Sequence, residues 1–294
     1  MKTRHFAQLV AMSALWGASF PFIRVASPAL GPWGVAGIRC LLAAIVLGLL
    51  MRWLGQRWPA RSAWASLTRL AIFTLVIPFL LFNWASLSLP AGYSAVLNAT
   101  MPLFGAIFAA MLGEEKLTLR RVIGCAIGFA GVALLVQLGP VETSARVVLA
   151  AVACTVAAAS YGLGSVMMKR ATRDHEPLTA SATVHVAAAA LLAIPTMATV
   201  PSMQFSIPAA VSMLVLGTIT SGFMYWISMR LLREIPPSAA NSAAFMIPFF
   251  GVTWGNLFLG EPVTPGMLPG CALVLIATAL ITGFNPFRGA PPEP

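Results

Sequence analysis

The sequence predicts an all-α polytopic membrane protein with ten transmembrane helices, arranged as two inverted five-helix repeats. Three observations predict it. The chain is 59% hydrophobic and only 9% charged, whereas a soluble domain carries about 25% charged residues. Apolar runs recur from end to end, each long enough to cross roughly 30 Å of hydrocarbon. The stretch from Pro90 to Leu135 also occurs twice. Displaced by 146 positions without a gap, Pro90 falls on Pro236, Pro102 on Pro248 and Phe104-Gly105 on Phe250-Gly251. Glu115 falls on Glu261, Thr118 on Thr264 and Gly124-Cys125-Ala126 on Gly270-Cys271-Ala272. Matched Pro, Gly, Glu and Thr each fix a local backbone event, so they carry more weight than matched apolar residues.

Taken in order, the spans are residues 6–26, 32–54, 67–88, 91–112, 119–138, 146–168, 178–198, 208–231, 237–259 and 265–284. The first follows Lys2 and Arg4, but it outruns a signal-peptide core and lacks a small-residue cleavage site. It reads as a first transmembrane helix. Fifteen of the eighteen Lys and Arg residues fall in the loops and ends on the side of the N-terminus. Arg146 alone lies in a loop on the other side, and Arg24 and Arg39 lie within spans. Cytoplasmic loops are enriched in Lys and Arg, so both termini are expected in the cytoplasm, with the protein in the inner (plasma) membrane. The formal charge of +10 is thereby explained as an orientation signal, and no nucleic-acid partner is expected.

Five spans per half is an odd number, so the second copy enters the membrane upside down. Residues 1–140 are expected to form the first repeat, 146–288 the second, and 289–294 a flexible tail. The starts of the halves match more weakly at an offset of 145, where Trp16-Gly17 aligns with Tyr161-Gly162 and Arg24 with Lys169. Inverted repeats with a midplane site between them characterise secondary transporters.

Trp16-Gly17, Gly113-Glu114-Glu115 with Thr118 and Gly124, and Gly260-Glu261 with Thr264 and Gly270 resemble the EamA-type members of the drug/metabolite transporter superfamily. The resemblance covers nearly the whole chain. Within the superfamily the sequence is most similar to bacterial exporters of amino acids, aromatic ones included. The resemblance implies a central cavity lined by spans 1, 3, 4, 6, 8 and 9, worked by alternating access.

All eight acids (Glu114, Glu115, Glu142, Asp174, Glu176, Glu234, Glu261, Glu293) fall in loops, at helix ends or in the tail. No embedded carboxylate can carry a proton or sodium ion, which favours transport without carboxylate-based proton coupling. The cysteines (Cys40, Cys125, Cys154, Cys271) form no metal or redox motif. No metal or cofactor is expected. An intramembrane enzyme would need a nucleophile with its base or a metal cluster, so a non-enzyme is expected.

In the cavity spans, the candidate substrate-binding residues are Trp16 and Ser19, Asn83 and Trp84, and Tyr93, Asn98 and Met101. In the second half they are Tyr161 and Ser165, Tyr225 and Trp226, Phe245 and Trp254, with Ser160, Ser221, Asn241 and Asn256 as further polar positions. A four-residue gap would place Asn83-Trp84 opposite Tyr225-Trp226. Asn, Ser and Tyr supply hydrogen bonds, and aromatic faces take hydrocarbon or an ammonium group. This set suits a neutral or zwitterionic substrate with an apolar body; a sugar phosphate would need clustered Lys or Arg.

Pro21, Pro78, Pro102 and Pro248 interrupt spans and are the expected hinges, with Gly162 and Gly164 as a flexible counterpart of Pro21. Glu115, Glu261, Thr118 and Thr264 read as caps and loop locks at the helix starts. Arg24 and Arg39 are expected to snorkel to the outer interface, although a substrate carboxylate is an alternative partner. His185 is expected to bond a neighbouring helix. Trp33, Trp53, Trp58 and Trp64 fit interfacial anchors.

The leading expectation is therefore export of small amphipathic metabolites, above all apolar or aromatic amino acids, by a monomer in the lipid bilayer. The alternative is a broad drug or metabolite efflux pump with proton antiport. A membrane scaffold is a third reading, in which cavity substitutions alter only stability.

Overall fold

In the computed structural model, which describes residues 3–89, 94, 97–136, 144–259 and 267–282, the described backbone is helical at all ten predicted positions. Pro90, Tyr93, Glu261, Thr264, Pro265 and the 289–294 tail lie outside the described residues, as does the side chain of Arg24. Six of the described helices are each long and apolar enough to cross a membrane.

Span 1 begins as Thr3–Gly17, breaks at Ala18 and resumes at Ser19. Gly31 (φ 71°, ψ 163°) then interrupts the helix Ser19–Trp53. Only glycine adopts that conformation freely, and Pro32 follows it. Trp16, before Gly31, and Arg39, after it, both bond Thr220, so the chain doubles back there and span 2 returns beside span 1. Span 3 is Arg61–Ala85, span 4 contains Met101–Met111, span 5 is Leu119–Val136 and span 6 is Ala145–Asp174. Span 7 is Pro177–Thr199 and span 10 is Met267–Thr282. Span 8 covers Ile207–Glu234, and span 9 is Pro237–Asn241 followed by Ala243–Leu259.

The packing displays the inversion directly. Span 5 lies along its repeat partner, span 10. A Cβ on Gly124 would meet Ile281 at 2.7 Å, and one on Gly131 would meet Leu273 at 2.8 Å. Rising numbers in one helix meet falling numbers in the other, so the partners run antiparallel. Further contacts come in repeat-related pairs: span 1 with 9 and 6 with 4, span 2 with 8 and 7 with 3. At the first pair, a Cβ on Gly17 would lie 2.8 Å from the Phe250 Cβ, and one on Gly162 would lie 2.9 Å from the Phe104 Cβ. Phe104-Gly105 and Phe250-Gly251 are the duplicated dipeptide, so each crossing is built from the same parts. Without water to drive association, such contacts hold membrane helices together through close backbone approach.

Two features depart from a ten-rod picture. Span 3 widens into a π-helical segment at Ile72–Val76, and span 8 does the same at Val215–Phe223. These stretches overlap at the repeat offset. A π-turn frees carbonyls from their usual amides and often marks a functional site. Here Ser160 donates to the Phe73 carbonyl at 2.8 Å, and Trp16 donates to the Thr220 carbonyl at 3.1 Å.

The prolines sit differently from simple mid-helix kinks. Pro78 lies in the first turn after the π segment, and Pro102 in the first turn of Met101–Met111 after a turn at Ala99–Thr100. Pro102 thus stands near a helix start, where proline is tolerated, whereas Pro78 lies within the continuous span Arg61–Ala85 and removes a backbone donor there. Pro21 lies just beyond the Ala18 break, and Pro248 lies within Ala243–Leu259. The backbone interruption in span 9 comes earlier, at Ser242.

Candidate functional site

Between the halves lies a cavity of about 510 Å³. Its mouth is at Pro28, Ser86 and Leu87, which are exposed, and its floor is at Met12, Met168, Leu231 and Leu232, which are buried. Trp16, Ser19, Asn83, Asn98, Met101, Tyr161, Ser165 and Tyr225 all line it. Asn241 and Ser221, among the further polar positions, line it too.

Four candidates stand away from the cavity. Trp84 is 38% exposed on the outside of span 3. Trp226 packs against Phe223 and under Arg230. Phe245 is sealed in the core, its ring filling the space left by Gly128. Trp254 turns its Nε1 to the Ala14 carbonyl at 2.8 Å. Helical phase decides these cases, since a span presents only part of its circumference to a central cavity. The four-residue gap is also unnecessary: without it, the repeat offset pairs Tyr225 with Phe79, and both line the cavity.

Arg39 corrects the expectation of snorkelling. It is 7% exposed and lines the cavity instead of reaching for an interface. Nε donates to Ser221 Oγ, Nη2 donates to Thr220 Oγ1 at 3.3 Å, and the guanidinium lies 4.0 Å from the Phe79 ring centroid. None of these neighbours carries a negative charge. Among the described residues Arg39 is the sole formally charged side chain lining the cavity, and its Nη1 bonds no protein acceptor. Three other polar atoms on the lining are buried without a protein partner: Ser19 Oγ, Ser27 Oγ and Asn98 Oδ1. Uncompensated buried polar groups are costly, and these lie on the same wall as the Arg39 guanidinium. Elsewhere the lining is apolar and aromatic, including Phe79, Phe82, Tyr161 and Trp16. Phe82 and Tyr161 stack at 6.1 Å.

The 146-residue displacement carries a signal for Arg39. It maps Arg39 onto His185, Phe79 onto Tyr225 and Thr74 onto Thr220. The structure preserves the mapping at the aromatic contacts, though not in the threonine side-chain partners. Arg39 lies over Phe79, and the His185 ring meets Tyr225 edge-on at 4.9 Å. Thr220 accepts from Arg39, while Thr74 Oγ1 pairs with the Tyr225 hydroxyl at 2.9 Å. Both threonines also donate to the carbonyl four residues back, Leu70 and its counterpart Leu216. His185 differs in being wholly buried. Its Nδ1 bonds the Ser181 carbonyl of its own helix at 2.8 Å, and its Nε2 has no partner.

Beyond the floor, on the face where the Lys and Arg residues gather, polar contacts fasten the helix ends. Glu114 bonds Arg170 at 2.8 Å and Arg173 at 2.5 Å. The hydrogen bond from Arg170, aided by the charge of Arg173, holds the Glu114 carboxyl below the ordinary carboxylate range despite its partial burial. Glu115 caps the start of span 9, accepting from Ser238 Oγ at 2.6 Å and Ser238 N at 3.0 Å, and pairs with Arg121 at 2.7 Å. Its lock therefore joins the two halves, while Thr118 caps its own helix through the Arg121 amide at 3.4 Å. Lys169 donates to the carbonyls of Leu232, Arg233 and Ile235 at the end of span 8. Glu234 binds Arg4 at 2.5 Å and His5 at 2.7 Å. The cavity is thus open at one face and latched at the other.

Known proteins share this fold or resemble this sequence. A solved crystal structure superposes with a TM-score of 0.81 at 17% identity, over 96% of this chain and 99% of that chain. The uncharacterized inner membrane transporter YedA of Escherichia coli (strain K12) is 26% identical, over 94% of this chain and 90% of its own. The uncharacterized transporter YvbV of Bacillus subtilis (strain 168) is 24% identical, over 95% and 92%. A probable terminal-alkyne amino-acid exporter of Streptantibioticus cattleyicolor is 27% identical, over 93% and 91%. The EamA-like transporter family matches residues 6–137 and again 148–283. This protein is a multi-pass membrane transporter, and it belongs to the EamA-like transporter family.

Proposed function

We propose that the protein exports small amphipathic amino acids, those with apolar or aromatic side chains, by alternating access through the central cavity. The observation that carries this reading is Arg39, a buried cation on an otherwise uncharged described lining, with no carboxylate among the described residues beside it. A substrate carboxylate supplies the missing charge, and the guanidinium fork suits it. Asn98 Oδ1 and the serine hydroxyls offer hydrogen bonds to the amino end, and the aromatic walls receive the side chain and the ammonium. The relative from Streptantibioticus cattleyicolor lends the substrate class support.

Transport takes place as the open mouth closes and the latch of Glu114, Glu115 and Glu234 releases. The helix breaks near Pro21, Pro78, Pro102 and Pro248 absorb the motion. Cationic drug efflux with proton antiport would call for a carboxylate in the cavity, and none lines it among the described residues. The test uses purified protein in liposomes loaded with a labelled aromatic amino acid. Exchange should proceed and survive an ionophore that collapses the proton gradient. Exchange with no amino acid would sink the substrate assignment; loss under the ionophore would sink the uncoupled mechanism.

A further inference from the structure

We propose that His185 is the substrate-contacting counterpart of Arg39 in the opposite state of the carrier, lining the cavity when it opens to the latched face. The inference rests on the alternating-access part of the proposed function, not on the substrate being an amino acid.

The argument begins with the inverted repeats. Two halves of similar fold sit in different conformations, and the difference between them opens the cavity to one face. If the halves exchange conformations, the cavity opens to the other face, and a residue that lines it while its repeat partner is sealed gives way to that partner. The exchange requires corresponding residues to hold corresponding positions, and around Arg39 they do. Arg39 and His185 lie on the facing spans 2 and 7. Each meets the equivalent aromatic of the next span, Phe79 or Tyr225. Beyond these, the corresponding threonines of the two π segments both donate to the carbonyl four residues back, at Leu70 and Leu216, although Thr220 also accepts from Arg39 whereas Thr74 pairs with Tyr225 instead of His185. In the state seen here, Arg39 faces the cavity and His185 is sealed.

The chemistry of the sealed side fits a contact awaiting exposure. The Ser181 carbonyl accepts a hydrogen bond, so the Nδ1 beside it is the protonated nitrogen, and in a neutral ring Nε2 keeps its lone pair. That atom is wholly buried without a partner, a costly arrangement if it served packing alone. Brought to the cavity, Nε2 accepts from a hydrogen-bond donor on the substrate, an ammonium or a hydroxyl. The two positions therefore read opposite ends of an amphipathic substrate, Arg39 the anionic end and His185 the donor end.

Cysteine accessibility tests this in a background where Cys40, Cys125, Cys154 and Cys271 are replaced by serine or alanine. His185→Cys is treated with a membrane-impermeant methanethiosulfonate reagent from either face, in oriented vesicles under exchange conditions. Thr172→Cys, which leaves His185 intact, serves as the reference. Thr172 is buried here and is the counterpart, at the 145 offset, of the cavity-lining Ser27. Both cysteines should react from the latched face, and substrate should protect position 185. Reaction at 172 without reaction at 185 overturns the role of His185 while leaving alternating access intact. Reaction at neither position in protein that still transports removes both. Where His185→Cys does not fold, His185→Asn is assayed for substrate affinity from each face. A loss on the latched face alone supports the assignment, and equal loss or no loss on the two faces overturns it.

Discussion

Replacing Arg39 by Gln tests the site where its geometry is most specific. Two guanidinium donors are engaged, Nε with Ser221 and Nη2 with Thr220. A guanidinium carries five N–H donors, so three remain, and a carboxylate taking two of them forms a charge-assisted pair. Hydrogen bonds to charged groups contribute about 1.5–3 kcal/mol net, which corresponds to a loss of roughly 10- to 150-fold in affinity at 1.4 kcal/mol per decade. The variant removes a buried charge, so the fold should tolerate it. The assay is exchange in proteoliposomes with two substrates, an aromatic amino acid and its carboxamide. Arg39→Gln should raise the half-saturating concentration of the acid by that factor and leave the amide nearly unchanged. Arg39→Lys should recover only part of the loss, because a point charge replaces a fork. Equal losses for acid and amide, or no loss for either, would refute the carboxylate reading.

Four further outcomes are expected. Gly162→Ala places a Cβ 2.7 Å from the Gly105 amide nitrogen, which cannot rotate away, so stability in detergent should fall by about 1–3 kcal/mol; an unchanged melting temperature contradicts the tight crossing. Glu115→Ala removes the cap on Ser238 and should cost about 0.5–2 kcal/mol, with faster labelling of cysteines at the latched face. Because the Glu114 carboxyl is held below its ordinary range, its stabilising contact is fully present above about pH 4.3, the unfolded value. It is lost as pH falls through the lower folded value, so acid should loosen the latch in the native chain and the Glu114→Gln variant should lack that component. Trp84→Ala and Trp226→Ala, off the cavity, should leave substrate affinity unchanged within twofold, as judged by half-saturation; a large shift at either would redraw the lining.

Much of the architecture was legible because membrane physics writes it in composition. A span must be apolar for about twenty residues, so its position is hard to hide, and Pro, Gly and Glu at fixed offsets revealed the duplication. Individual side chains were less legible because cavity exposure depends on helical phase and on a few degrees of kink. Trp16 and Tyr161 reach the lining, whereas Trp84 and Trp226, one position beyond Asn83 and Tyr225, turn away. A lone arginine in a span usually reaches water by the nearest route, which points Arg39 to the interface. Its burial depends on Thr220, Ser221 and Phe79, which come from distant parts of the chain. The π segments left no compositional trace, since one extra residue in a turn changes neither hydropathy nor length appreciably. Glu115 read correctly as a lock, but its partner is Ser238, 123 positions away.

The duplicated parts and the unduplicated charge have complementary roles. Phe104-Gly105 with Gly162, and Phe250-Gly251 with Gly17, build matching crossings, so the two halves can adopt each other's shape at little cost. At the centre the match stops, with arginine in one half and histidine in the other. Arginine keeps its charge in any protein environment, whereas histidine can be neutral when buried. Exchanging the halves' conformations thus moves a permanent charge away from the open cavity, which costs several kcal/mol for an unpaired ion. On the proposed function, the penalty would fall on the empty carrier and would be relieved by an anionic substrate beside the guanidinium. On the proposed function, near-symmetry would let the protein open to either face, and the charge of Arg39 would make that passage depend on the substrate.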